Sequence, residues 1–292
     1  MQGAKAREVT MSNGSEKLKH LKQSSPKHLT GDLSDRRQAL QALVTQRMFN
    51  HDQREQLWAE IADAVLSKSK VMRNDNFQVT TDADLQRMAE LYDYKFFDGH
   101  CLAIARSQGI EFRWSKRMTS NGGKTVRYVQ PNRRDNTHST RYEIVLSATL
   151  LFQTFGDLER PVRVTGLLCK NRLQAMQRIL EHEMIHLVEM LVWEDSCCAA
   201  TRFQTIARRM FGHTEHKHNL ITQQERASEK FNVRVGSNVQ FNLDGIRYTG
   251  VVNRITRRAT VLVIDPRGQL YGDGKRYRKF YVPLSHLELV AK

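Results

Sequence analysis

Ile179-Leu-Glu-His182-Glu183-Met-Ile-His186-Leu-Val-Glu-Met-Leu-Val-Trp193 reads as one mostly apolar helix carrying HEMIH. Residues four apart on a helix lie one turn up on the same face, so His182 and His186 can aim their imidazoles at one shared point. Glu183 sits beside that point without having to ligate. This is the H-E-x-x-H arrangement, two zinc ligands and a general base. The residue types follow from the chemistry. Neutral imidazole binds zinc, zinc lowers the pKa of bound water towards about 7, and a carboxylate then takes the proton as the water attacks a carbonyl. The bland alternative is a chance match in a chain with 11 His. Against it stands the cost of placing three polar side chains in an apolar helix without partners.

The chain has 292 residues, enough for a large core and for two domains or one with appendages. Its 46 Lys and Arg against 31 Asp and Glu leave a net +15, a field that favours a polyanion over a solvated basic surface with no partner. The four cysteines, Cys101, Cys169, Cys197 and Cys198, form no CxxC pair and no disulfide framework. No apolar run approaches a membrane span, and the N-terminus carries no signal-peptide pattern, so a soluble, intracellular protein without membrane contact is expected.

Residues 1–35 read as a disordered basic tail, and 36–79 as a helical extension with one helix to about residue 69. Thr81 opens a capped helix carrying Leu85, Met88, Tyr92 and Phe96. Strands are expected at 110–114, 124–129 and 141–146, with a turn at Asn121-Gly122-Gly123 and Ser147 capping a short helix. Residues 156–166 read as loop, the motif helix as about 167–193, and residues 200–211 as an amphipathic helix ended by Gly212. This is an α+β pattern, the motif helix packed on a small sheet.

From residue 231 the apolar period changes to two. Strands at 238–243, 246–255, 259–264, 279–282 and near 289–290 fit a small SH3-like β-barrel, with turns at Asp244-Gly245 and 265–268. Eleven Lys or Arg face four Asp or Glu in this segment. Arg254, Arg257 and Arg258 flank one turn, and Lys275, Arg276, Arg278 and Lys279 crowd one loop among tyrosines. Basic groups contact phosphates and aromatics stack on bases, so these seven residues are the candidate nucleic-acid contacts.

Several features in order resemble the SprT-like (Spartan-type) metalloprotease family: Phe96-Phe97-Asp98-Gly99, Trp114 to Arg117 with Gly122-Gly123, Glu143 to Ser147, the HEMIH helix, and Arg202-Phe203 with Ile206-Ala207 and Phe211-Gly212-His213. The likeness covers residues 80–222, and the segment 231–292 resembles a KOW or SH3-like appendage. It implies a zincin-like fold and a Zn2+-dependent endopeptidase cutting proteins bound or crosslinked to DNA. His182 and His186 would be ligands and Glu183 the base. RNA is the alternative polyanion, and a monomer is expected in the cytoplasm, at the nucleoid in a bacterium or in the nucleus of a eukaryote.

One departure bears on the site. The family's third zinc His falls here on Ala199, which cannot ligate. Cys198 is the nearest substitute, then Cys197; a pair of inert thiols is the alternative, and His213, His216 and His218 remain further options. Glu189 reads as a solvated or hydrogen-bonded structural group. Two other functions stay open: a lapsed protease fold that binds nucleic acid, and an RNA- or ribosome-associated protein whose barrel is the working part.

Overall fold

The computed structural model describes residues 33–131, 138–156 and 158–290, so most of the expected N-terminal tail lies outside the described residues. Its last three positions are already helical, in α1 (Leu33–Gln46). The single helix expected over 36–69 is two, because Asn50 starts a new one, α2 (His51–Lys68). Its side chain accepts from the Gln53 amide at 2.9 Å while Gln53 Oε1 accepts from the Asn50 amide at 2.9 Å, a reciprocal cap. Leu40 and Val44 of α1 and Ile61 and Val65 of α2 are fully buried in the same core as the motif helix, so these helices are part of the main unit rather than an appendage.

Thr81 and Asp84 form the same kind of cap for α3 (Asp82–Phe96), and α4 (His100–Gln108) follows a turn at Asp98-Gly99. A three-stranded sheet comes next: β1 (Ile110–Ser115), β2 (Gly123–Pro131) and β3 (His138–Ser147), in the order β1-β3-β2. The Gly-Gly turn does not fold β2 back on β1. β3 takes the centre, parallel to β1 and antiparallel to β2. Its run from Tyr142 to Ser147 is buried at every residue, as a central strand requires, whereas β1 and β2 keep partly exposed faces. Ser147 caps α5 (Ala148–Thr154) as expected.

The segment read as loop over 156–166 and the first turn of the motif helix after it form a hairpin, β4 (Val162–Val164) and β5 (Leu167–Cys169), turned by Thr165 and Gly166 at positive φ. The helix itself, α6 (Arg172–Trp193), starts after Asn171, whose side chain accepts from the Gln174 amide at 2.9 Å. Then come α7 (Thr201–Phe211), closed by Gly212 in the left-handed region, and α8 (Gln223–Phe231), which the sequence pattern did not reveal. No helix among the described residues is long and apolar enough to cross a membrane.

The C-terminal segment is a separate five-stranded antiparallel sheet with its own core, which Ala227 of α8 joins. Its strands are β6 (Asn238–Leu243), β7 (Ile246–Ile255), β8 (Ala259–Leu270), β9 (Arg276–Val282) and β10 (Glu288–Leu289), ordered β10-β6-β7-β8-β9. The expected turn at 265–268 is instead an irregularity inside β8, where the register with β9 shifts between Ile264 and Gln269. β9 therefore begins earlier than expected, and Arg276, Arg278 and Lys279 lie on a strand rather than in a loop. Arg160 joins the two units, donating to Glu225 of α8 at 2.5 Å and to the Asn219 carbonyl at 2.6 Å.

α6 is buried on most of its circumference, polar groups included. Glu181, with no exposed surface, accepts from Tyr92 Oη at 2.7 Å, from Arg178 at 2.6 and 2.8 Å and from His213 Nε2 at 2.9 Å. The Arg178 guanidinium in turn lies 3.2 Å over the Trp58 ring of α2. Burial pushes the His213 pKa down, so the ring donates as neutral imidazole. Removing one partner of a buried ion pair costs about 3–5 kcal/mol, because the survivor keeps its desolvation penalty. Glu181→Ala should therefore lower the unfolding free energy by about that amount in a urea titration, far more than loss of the exposed Arg106–Glu90 pair.

Candidate metal centre and cleft

A face of α6 about a quarter-turn or more from Glu181 carries His182 and His186, whose Nε2 atoms converge to 3.2 Å. Both rings pack on Phe203 of α7, with centroids 4.8 and 4.6 Å away. Two ligand nitrogens on one tetrahedral metal stand about 3.3 Å apart, given bonds of about 2.0–2.1 Å. The observed spacing meets that need. Cys198 supplies a third donor: its Sγ and the two imidazole nitrogens all lie within 4.8 Å of one another.

The tautomer of His186 follows from its neighbours. Ser196 Oγ donates its one hydrogen to Glu189 Oε2 at 2.6 Å, and Glu189 Oε1 accepts from Arg202 Nε at 2.6 Å. At 2.7 Å from His186 Nδ1, Ser196 Oγ can only accept, so Nδ1 carries the proton and the Nε2 lone pair points into the site. Glu189 is thus a structural hydrogen-bonding group, the second of the two roles the sequence left open. His182 Nδ1 meets no partner. Burial pushes the His182 pKa down to about 2 and that of His186 to about 4, so both rings are neutral. In metal-free protein His182 Nε2–H can donate to the His186 Nε2 lone pair across that 3.2 Å gap, and with the His182 proton moved to its unpartnered Nδ1 a shared cation would take both lone pairs, so the residues fit one.

Glu183 is buried beside the pair, and burial raises its carboxyl to about 8 against the opposing effect of a hydrogen bond from Thr125. Thr125 Oγ1, on β2, lies 2.8 Å from Glu183 Oε2 and 2.8 Å from the Glu183 carbonyl. The strand comes this close because residue 123 is glycine: a Cβ there would sit 2.6 Å from Glu183 Oε1. Gly122 N–H donates to His218 Nε2 at 2.8 Å, which fixes the Gly-Gly segment from the other wall. The cleft, open to solvent, has a volume of about 560 Å3 and is lined by Gly123, Thr125, Thr165, His216 and His218 as well as the two rings.

The sequence candidates divide as follows. His182, Glu183, His186 and Cys198 come together. Cys197 is exposed and outside the cluster, His213 belongs to Glu181, and His216 and His218 line the cleft. Arg254 lies on β7, Arg257, Arg258 and Lys275 in turns, and Arg276, Arg278 and Lys279 on β9, with Arg278 5.1 Å over the Phe280 ring. Thr125 and Ser196 escaped the sequence reading, and so did the contact of Gly123 with Glu183. The Gly-Gly turn marked the right place, but its partner is 60 positions away.

Two outcomes follow. Ser196→Ala removes the acceptor that sets His186, and loss of such a group typically weakens metal binding about 10–100-fold, which competition with a chelator will measure. In metal-free protein, His182 and His186 stay neutral while the unfolded chain protonates them near pH 6.5. At these two rings the unfolded state then binds more protons and stability is lost as pH drops from about 7 to about 5, while Glu183, raised to about 8, contributes with the opposite sign in the same window. The urea midpoint of metal-free protein should therefore fall less between about pH 7 and about pH 5 when both rings are replaced by Asn than in the parent chain, the remainder coming from other buried histidines such as His213 and His218.

No protein-family model matches the sequence, and neither a curated protein nor a solved structure matches it, so function is argued from the geometry of the centre itself.

Proposed function

We propose that this chain is a zinc-dependent endopeptidase of zincin-like, SprT-like type that cuts proteins bound or crosslinked to DNA, with an SH3-like barrel as its nucleic-acid contact. The observation that carries the reading is the convergence of His182 and His186 Nε2 on the Cys198 thiol beside a buried Glu183. Cys198 stands one position before the alanine that replaces the family's third histidine, and thiolate is a good zinc ligand. Zinc held there would polarise a peptide carbonyl and bring the pKa of water to about 7.

The chain's own groups do the rest. Thr125 holds Glu183 Oε2, leaving Oε1 to take a proton from the attacking water and pass it to the departing amine. Raised towards neutrality by burial, Glu183 is matched to both halves of that transfer. Ser196, Glu189 and Arg202 keep His186 in register. The basic residues of β7, β9 and their turns hold phosphates, so a protein fixed to the nucleic acid is presented at high local concentration.

Ala199 favours a second reading, a lapsed site on a nucleic-acid-binding protein. Metal analysis and cleavage of a DNA-crosslinked protein separate the two. Purified chain should hold about one zinc, Glu183→Gln should keep it and lose cleavage, Cys198→Ala should lose it, and His213→Ala should retain it. Undiminished cleavage by Glu183→Gln, or DNA binding without stoichiometric zinc, would overturn the peptidase.

A further inference from the structure

The C-terminal sheet has two faces, and the strand registers assign each residue to one. Phe280 pairs with Val261 and Val261 with Val252, and all three are buried in the core. The alternate positions point away from it. Tyr281 pairs with Thr260, which pairs with Arg254, and one step along Lys279 pairs with Leu262, which pairs with Val251. A third row sets Tyr277 against Ile264. This outer face carries an apolar centre that a solvated sheet has no use for: Ile264 is 66% exposed, Val251 39% and Tyr281 64%. Among the described residues the Tyr281 side chain makes no hydrogen bond and no ring contact.

Charge selects the occupant. Arg254 borders Tyr281 through Thr260, and Arg257 and Arg258 occupy the turn at the same end of the face. No Asp or Glu occurs between Asp244 and Asp265, and no carboxylate among the described residues pairs with these three arginines. The nearby acids are spoken for at other places. Asp273 accepts from Tyr277 Oη at 2.7 Å, and Glu288, on the opposite edge strand, accepts from Gln240 at 2.7 Å and lies 3.9 Å from Arg247. Lys279 lies over the Tyr271 ring at 5.6 Å. An aromatic ring and aliphatic side chains edged by unpaired arginines suit a chain with accessible π faces and a phosphate backbone. A duplex offers the phosphates but keeps its base faces stacked away.

We infer that the outer face of β7, β8 and β9 binds single-stranded DNA, with a base stacked on Tyr281 and phosphates on Arg254, Arg257 and Arg258. The choice of DNA rests on the function proposed above; the stacking and the single strand rest on the face itself.

The test is fluorescence anisotropy on the full chain with a labelled oligothymidine, the matching blunt duplex and an oligouridine, at one stated salt concentration. The oligothymidine should bind more tightly than the duplex. Tyr281→Ala should weaken it about tenfold, the scale of losing one base stack, leave duplex binding unchanged, and Tyr281→Phe should restore it. Full oligothymidine affinity in Tyr281→Ala, an equal loss on the duplex, or no preference for the single strand would overturn the assignment. Tighter binding of oligouridine would overturn DNA as the occupant. Cleavage of a denatured polypeptide, read in parallel, keeps the two claims apart. Intact cleavage without single-strand preference removes only this face, and intact preference without cleavage removes only the peptidase.

Discussion

A carboxylate with no exposed surface sets the rotation of helix α6. Glu181 takes hydrogen bonds from Tyr92 on α3, from Arg178 one turn back and from His213 beyond α7, and Arg178 is held flat against Trp58 of α2. A buried charge tolerates no slippage, because every group that moves away leaves part of its desolvation cost unmet. The next residue in the chain is His182, about 100° round the helix. Fixing Glu181 inward thereby fixes His182, and His186 one turn later, toward the cleft. The polar interior of this helix is a positioning device that the cleft inherits.

The same economy runs through the cleft. Two of the cleft's side chains are held by hydrogen bonds from groups around them, Glu183 by Thr125 and His186 by Ser196 with Glu189, and Gly122 with His218 fixes the wall. The sheet contributes an edge strand rather than a scaffold for ligands. β2 lies close enough to α6 for a threonine hydroxyl to reach the Glu183 backbone, and that approach depends on the bare Cα of Gly123.

What the sequence disclosed follows one rule. Relations carried within a few residues were legible: the His182–His186 turn, the caps at Thr81 and Ser147, the Gly212 stop, the period-two strands after residue 231, and a thiol at Cys198 near the alanine that breaks the pattern. Relations between distant segments were not. Nothing local in Thr125 points to Glu183, and nothing in Ser196 points to His186. Punctuation also misled. Pro266 and Gly268 suggested a turn where β8 bulges and continues, and Leu167-Leu168-Cys169 passed for helix because a short apolar run has no readable period. The single helix expected over 36–69 failed for the converse reason: both halves are amphipathic, and only the cap at Asn50 separates them.

The placement of α2 has a consequence for dissecting the molecule. Trp58 stacks on Arg178, and its carbonyl accepts from the Gln177 side chain at 2.9 Å. A fragment starting at residue 80 would strip the lid from two polar side chains in the middle of the central helix and open to solvent the core that the fully buried Ile61 and Val65 cover. A piece meant to preserve the cleft therefore keeps α1 and α2, whose Leu40, Val44, Ile61 and Val65 lie in the same core as the central helix.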